Sequence, residues 1–250
     1  MSNAVRRVGV LGGTFDPIHL GHLAAAIESA DALGLEEVLL IPSRTPPHRP
    51  VDPSASVFHR FAMVALAAAR DWRLAASDLE LCRSGASYTA DTLRALRAAG
   101  LEASQIFFIT GADAFAEIAT WREYPAVLDL AHFVVCSRAG VEATSLADRL
   151  PDLAGRMVLV PFRAQPAPGR PAVDVAAQSP ESGRNPRVFL LDRATPDVSS
   201  TLIRAHARAG RPLAGLVPPE VDHHIRRHGL YGADSGAAAG GRPAAGNLHE

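Results

Sequence analysis

At 250 residues, 48% of them hydrophobic, the chain can bury the core of one α/β domain, with length left for a loop insertion and a tail. A formal net charge of −1 excludes a broad nucleic-acid-binding face, and the lack of any apolar run near ~20 residues excludes a membrane span. Two cysteines, Cys82 and Cys136, exclude a disulfide framework and suit a cytoplasmic setting, and Arg6, Arg7 and Gly12 leave no apolar signal-peptide region between them.

Strands and helices alternate from the start. Residues 8–11 form an apolar run that reads as a buried strand, and 20–33 carry a helical pattern rich in Ala, Leu and Ile. A second buried strand is expected at 38–41, then a loop to Ser56 with five prolines, then a helix over 57–70. Residues 74–81 read as an edge strand, and 89–99 as a helix stopped by Gly100. A strand at 106–109 leads into Gly111-Ala112-Asp113. A short helix then runs to about Trp121, and Pro125 opens another. Further strands are expected at 132–136, 157–160 and 188–191. Apolar strands separated by helices imply a mainly parallel sheet covered by helices on both faces, a Rossmann-like α/β fold. Ligands of such sheets bind at the carboxyl ends of the strands, where strand order reverses. Residues 163–186 are rich in Pro, Ala, Gly and Ser and read as a long mobile insertion. Residues 232–250 are Gly/Ala-rich with little to bury and read as a disordered tail on a single domain, 1–231.

The residues that carry chemistry collect at those strand ends. Gly12-Gly13-Thr14-Phe15-Asp16-Pro17-Ile18-His19-Leu20-Gly21-His22 joins the first strand to the first helix. Gly12 and Gly13 let backbone N–H groups approach a ligand, and His19 and His22, three apart, face one side of a first helical turn. Imidazoles, N–H groups and a helix N-terminus make an anion site, and a nucleotide polyphosphate suits it best. In Asp197-Val-Ser-Ser-Thr-Leu-Ile-Arg204, Ser199 or Ser200 caps a helix whose start turns Ser200 and Thr201 outward. Arg204 lies one turn in, on the same face, as a fork for phosphate oxygens. Asp113 can accept hydrogen bonds from ribose hydroxyls and can cap the helix that follows it, and the two roles are compatible. A polar turn at Ser87-Tyr88-Thr89 offers N–H groups and the Thr89 hydroxyl to a carboxylate. Trp121 is either a core or lid residue or a stacking platform for a flat cationic ring. His224 and His228 stand at a metal-ligand spacing, but no nearby carboxylate or Cys completes a site, and a solvated or partly packed face is expected there.

The string from Gly12 to His22, with His19-Leu20-Gly21-His22 as a (T/H)xGH signature, resembles the nucleotidyltransferase superfamily and within it the bacterial nicotinate-nucleotide adenylyltransferase family. Residues 197–204 resemble that family's Ile-Ser-Ser-Thr-x-Ile-Arg motif, with Val198 in place of Ile. The likeness covers 5–160 and 188–231. It implies adenylyl transfer from ATP to nicotinate mononucleotide, releasing pyrophosphate and forming a dinucleotide for NAD biosynthesis. ATP contacts are implied for Gly12, Gly13, Thr14, Phe15, His19, His22, Gly111, Asp113, Ser200, Thr201 and Arg204. His19, His22, Thr14 and Arg204 act on the transferring phosphate. Acceptor contacts are implied for Ser87, Tyr88, Thr89 and Trp121, and for Arg44, His48 and Arg49 in a loop like the family's Pro-Pro-His-Lys. The attacking phosphate is already an anion, so no general base is needed, and catalysis rests on positioning and charge neutralisation. Mg²⁺ is expected to enter on the ATP phosphates with mostly water ligands. A homo-oligomer is compatible with the sequence. Two other readings stay open: a related transferase acting on nicotinamide mononucleotide, pantetheine phosphate or glycerol phosphate, and a nucleotide sensor without turnover.

Overall fold

The computed structural model describes residues 6–47, 53–137, 142–160, 186–192 and 195–232. Among the described residues, seven strands form one sheet: β1 (Val8–Gly13), β2 (Glu37–Pro42), β3 (Leu74–Ala76), β4 (Ile106–Gly111), β5 (His132–Cys136), β6 (Met157–Val160) and β7 (Val188–Leu191). Their order is β3-β2-β1-β4-β5-β7-β6, and every pairing is parallel. The helices are α1 (Leu20–Leu33), α2 (Val57–Ala68), α3 (Thr89–Ala98), α4 (Ala112–Phe115), α5 (Leu146–Arg149), α6 (Ser200–Arg208) and α7 (Pro219–Arg227).

The period-2 alternation of the strands divides the core in two. Phe107, Ile109, Val134, Cys136, Phe189 and Leu191 face one side, together with apolar residues of α1, α2, α6 and α7. Their sequence neighbours Phe108, Phe133, Val135, Val188 and Leu190 face the other, against α3, α4 and the turns around Ile118 and Val127. Both faces are dry, which is why the strands read as unbroken apolar runs. A stripe from Arg60 through Met63, Val64 and Ala67 lays α2 onto the first face. Gly34 ends α1 in the left-handed region at φ 63°, a conformation glycine adopts without a Cβ clash.

Three boundaries differ from the sequence reading. The edge strand β3 stops at Ala76. Beyond it the Leu81 N–H donates to Asp78 O and the Leu79 N–H to Ser77 Oγ, so these polar residues make turns instead of ladder bonds. The stretch after Pro125 is a 3₁₀ turn, Ala126–Asp129, and α4 spans only four residues, with a separate 3₁₀ turn at Ile118–Thr120. The expected insertion, apart from Pro186, and the expected tail, apart from Gly232, lie outside the described residues, as do His48 and Arg49.

From β1 the chain moves outward through β2 to β3, and from β4 outward through β5 to the edge strand β6, with β7 returning between β5 and β6. The reversal falls between β1 and β4, whose carboxyl ends are Gly13 and Gly111. The crevice that such a reversal opens is where this fold class binds its ligands.

Candidate active site at the β1–β4 crevice

The turn from β1 into α1 is held by buried groups. His19 is the residue preceding α1. Its backbone N–H donates to Nδ1 of His22 at 3.3 Å, and the two rings stack with centroids 3.7 Å apart. Because Nδ1 accepts a backbone proton, the neutral His22 ring carries its own proton on Nε2. Phe15, buried at φ 48°, meets the His22 ring edge-on at 5.0 Å. Gly21 sits in close packing, since a Cβ there would stand 3.1 Å from both the His19 ring and Pro196 O and would press its neighbours outward by a few tenths of an ångström. A Cβ at Gly12 would come no nearer than 3.8 Å to Phe108, so that glycine leaves room at the crevice and relieves no clash.

Two of the N–H groups at the start of α1, expected to add to the anion site, are already satisfied within the protein. The Leu20 N–H donates to Leu216 O and the His22 N–H to His19 O. The anion-binding character of the turn therefore rests more on side chains than on the helix terminus.

Asp16, which the sequence reading passed over, is the hub of the site. Its carboxylate is 1% exposed and accepts from the Ser54 N–H at 2.8 Å, the Ala55 N–H at 3.0 Å and the Tyr231 hydroxyl at 2.9 Å. Arg204 Nη1 stands 3.8 Å from the same carboxylate and donates to Asp16 O at 2.7 Å, while Nη2 donates to Thr201 Oγ1 at 3.2 Å. Burial and the adjacent Asp16 charge push the Tyr231 hydroxyl far above its ordinary value, so it stays a donor at every physiological pH.

Ser199 is the cap of α6, accepting from the Leu202 N–H at 3.2 Å. Ser200 is thereby left to donate to Pro17 O at 2.9 Å. It points into the β1–α1 turn and not outward as expected, whereas Thr201 is exposed. The second phosphate motif is thus docked on the first through Ser200 and Arg204.

Arg60 was also missed. Buried on α2, it donates from Nη1 to Thr14 O at 2.6 Å and from Nη2 to Arg44 O at 3.4 Å, tying the ends of β1 and β2 together. The signal for it was present: an arginine at the head of the apolar stripe of α2 is misplaced unless it has buried partners.

On the β4 side Gly111 precedes α4, so Asp113 lies inside the first turn and is not its cap. A Cβ at Gly111 would collide with the Asp113 carboxylate. The acceptor segment forms a second cluster. Tyr88 precedes α3, and the N–H groups of Thr89 and Ala90 lie in its first turn, where no intrahelical carbonyl reaches them. Arg122 covers the Tyr88 ring at 4.6 Å, and Glu123 pairs with Arg94 of α3, so the strip beginning at Trp121 is clamped to the α3 start. Trp121 is half-buried, with Phe108 at 6.0 Å and Phe133 at 6.3 Å.

Arg44 is engaged differently from the expectation of a phosphate contact. Its N–H donates to Ser87 Oγ at 3.0 Å and its Nη1 to Leu81 O at 2.7 Å, which shapes the loop that carries Tyr88. Beneath that loop Glu80 is buried and accepts from Thr92 Oγ1 at 2.5 Å, and desolvation raises its pKa.

A model of the cytidylyltransferase-like family matches residues 10–206. A relative from Citrifermentans bemidjiense is 39% identical over 226 residues, 90% of this chain and 98% of the relative. Another, from Desulfatibacillum aliphaticivorans, is 38% identical over 231 residues, 90% of this chain and 99% of the relative. Both bear the name "Probable nicotinate-nucleotide adenylyltransferase". The chain belongs to this family, among its nicotinate-nucleotide adenylyltransferases. The same fold occurs in the Plasmodium falciparum nicotinic acid mononucleotide adenylyltransferase complexed with NaAD. That match has a TM-score of 0.65 at 15% identity and covers 92% of this chain and 99% of the other. Among the described residues, no helix is long and apolar enough to cross a membrane.

Proposed function

We infer that the protein transfers the adenylyl group of ATP to nicotinate mononucleotide, a step of NAD biosynthesis. The observation that carries this reading is the docking of Ser200 and Arg204 onto the Asp16-Pro17 turn beside the His19–His22 pair. One imidazole donor and one guanidinium thereby stand together at the β1 end of the crevice. That donor set suits a polyphosphate, and the names of the relatives specify the acceptor.

An oxygen of the mononucleotide phosphate attacks the α-phosphorus of ATP, and the bond to pyrophosphate breaks. No proton has to be removed from the nucleophile. His22 Nε2–H donates to the oxygens on which charge accumulates, with the His19 ring stacked behind it. Thr14, its carbonyl held by Arg60, orients the α-phosphate, and Thr201 and Arg204 hold the departing pyrophosphate. Asp113 takes the ribose hydroxyls. The nicotinate carboxylate meets the Thr89 and Ala90 N–H groups and the Thr89 hydroxyl, and Trp121 stacks on the pyridine ring. Mg²⁺ arrives with ATP as part of the substrate. Both Asp16 oxygens already accept protein donors, so the metal is held by phosphate and water and not by a carboxylate cage.

The test is pyrophosphate release from ATP and Mg²⁺ with separate mononucleotide and pantetheine phosphate acceptors, with the dinucleotide product weighed by mass spectrometry. Turnover with nicotinate mononucleotide is expected. Turnover only with pantetheine phosphate, or ATP binding without turnover, overturns the reading.

A further inference from the structure

Away from the crevice, three imidazoles from distant parts of the chain converge. His59 lies in the first turn of α2, where its N–H donates to Ser56 Oγ. His224 lies in α7 and His228 immediately follows that helix. The sequence shows His224 and His228 at a ligand spacing with nothing to complete a site. The fold supplies the third ring, from a residue 165 positions away from His224.

His59 Nδ1 and His224 Nε2 are 3.1 Å apart. Ring centroids are 4.9 Å apart for His59 and His228, and 4.5 Å for His224 and His228. One ligand nitrogen from each ring lies within 4.8 Å of the other two. In a tetrahedral site with metal–nitrogen bonds of about 2.0–2.1 Å, ligand nitrogens are separated by about 3.3 Å. The first pair already stands near that separation. His228 is exposed, so its ring can turn inward by the remaining ångström or so.

We propose that His59, His224 and His228 bind a transition-metal dication of the Zn²⁺ class, with the fourth position open to water. An all-imidazole donor set selects zinc, cobalt or nickel over the oxygen-seeking Mg²⁺ that accompanies ATP. In the apo protein one of the two facing nitrogens of His59 and His224 must carry a proton to make their hydrogen bond. The metal needs both facing nitrogens bare, so the donating ring changes tautomer and carries its proton on its other nitrogen, with no net proton lost from a neutral pair.

The two helices that carry these rings also flank the phosphate site. Residues Ser54 and Ala55, just before α2, and Tyr231, just after α7, all donate to Asp16. A metal bridging the two helices staples the elements that grip the centre of that site. None of the three histidines belongs to the nucleotide or acceptor contacts, so the staple acts on stability and not on the chemical step. The nearby cleft has mixed charge. Glu220 pairs with Arg70 at 3.1 Å, and Arg227 lies on the same lining. An inorganic anion is therefore the rival occupant.

The full chain, without a histidine tag and stripped of metal, would be titrated with ZnCl₂ by calorimetry and with CoCl₂ by visible absorption. One equivalent per chain is expected, with the intense d–d bands of four-coordinate Co²⁺. At about 100 times Kd, Zn²⁺ should raise Tm by about 5 °C or more. His59→Ala, His224→Ala and His228→Ala should each weaken Zn²⁺ binding at least about tenfold, since loss of even an outer-shell partner costs that much. His228 is exposed, so its replacement keeps the test valid if either of the other variants fails to fold. Binding weaker than about 0.1 mM overturns the proposal, as does Zn²⁺ affinity unchanged in all three variants, which would place the metal elsewhere. A Tm rise with inorganic phosphate that these substitutions remove would show an anion site and overturn it too.

Discussion

At 1% exposure Asp16 has lost its water, and protein donors take the water's place. Asn has the same shape, but its NH₂ would oppose one of the N–H or O–H donors that now meet a carboxylate oxygen. Asp16→Asn should cost about 2–4 kcal/mol of stability and lower Tm by roughly 5–15 °C. Turnover should fall as well, because Arg204 loses the carboxylate charge 3.8 Å away and the turn loses an acceptor for one of its donors. Calorimetry with steady-state kinetics checks both, and unchanged Tm would remove Asp16 from the centre of the site. His22→Ala tests the donor itself: kcat should drop ~10²-fold or more while the KM values stay near those of the parent. Undiminished turnover would exclude His22 from the mechanism. His19, His22 and Arg204 stood out in the sequence because each stands in a contiguous string of chemically suited residues, whereas the inward turn of Ser200 onto Pro17 O did not. Asp16 and Tyr231 did not stand out, because their partners lie far off in the chain, and Arg60 showed only as a charge on an apolar stripe, with no sign of which groups it would meet. Tyr231 is 215 residues from Asp16, and Arg60 is 46 from Thr14.

The elements that hold this centre are α2, α6 and the segment following α7. Tyr231 gives that segment a role the sequence did not show, since the last residue of the expected domain stood there with no visible partner. A chain ending at Gly232 should keep its turnover and Tm, because residues 233–250 are Gly/Ala-rich with little apolar surface. A chain ending at Gly229 should lose about 1–3 kcal/mol with the Tyr231–Asp16 hydrogen bond, which leaves Asp16 Oδ1 only the Ala55 N–H, and most of its activity. Thermal melts and turnover of the two truncations decide this, and equal behaviour would mean that Tyr231 is dispensable. At this scale apolar runs and their spacing revealed all seven strands. They did not reveal β3's short length, which depends on Ser77 and Asp78 turning the backbone into local bonds. Nor did they reveal that β7 inserts between β5 and β6, an order set by packing across the whole sheet.

The sheet as a whole imposes its dryness on His132, at the start of β5. Desolvation, then the charges of Arg187 and Arg7, lower its pKa to about 4, and its Nδ1 accepts the Arg187 N–H at 2.9 Å. The folded state thus disfavours the imidazolium. The stability this contributes is present above the unfolded value of about 6.5 and is lost as pH falls from there through about 4. The pKa difference sets an upper bound of about 3 kcal/mol on that loss. Urea unfolding at pH 7.5 and pH 4 should show a larger drop for the parent than for His132→Asn, which retains an acceptor for Arg187 but does not titrate. Equal drops would mean the ring is protonated in the folded state. The choice of acceptor engages the whole crevice, from the phosphate site to the α3 start. N–H donors at the α3 start satisfy a carboxylate with two accepting oxygens, whereas a carboxamide sets its NH₂ against one of them at a cost of about 1–3 kcal/mol. Trp121 stacks on either ring and should leave the preference intact in Trp121→Ala. The decisive measurement is the ratio of kcat/KM for nicotinate and nicotinamide mononucleotides with saturating ATP and Mg²⁺. The predicted ratio favours nicotinate by roughly ten- to several-hundred-fold, and equal efficiency or a preference for the amide would contradict it.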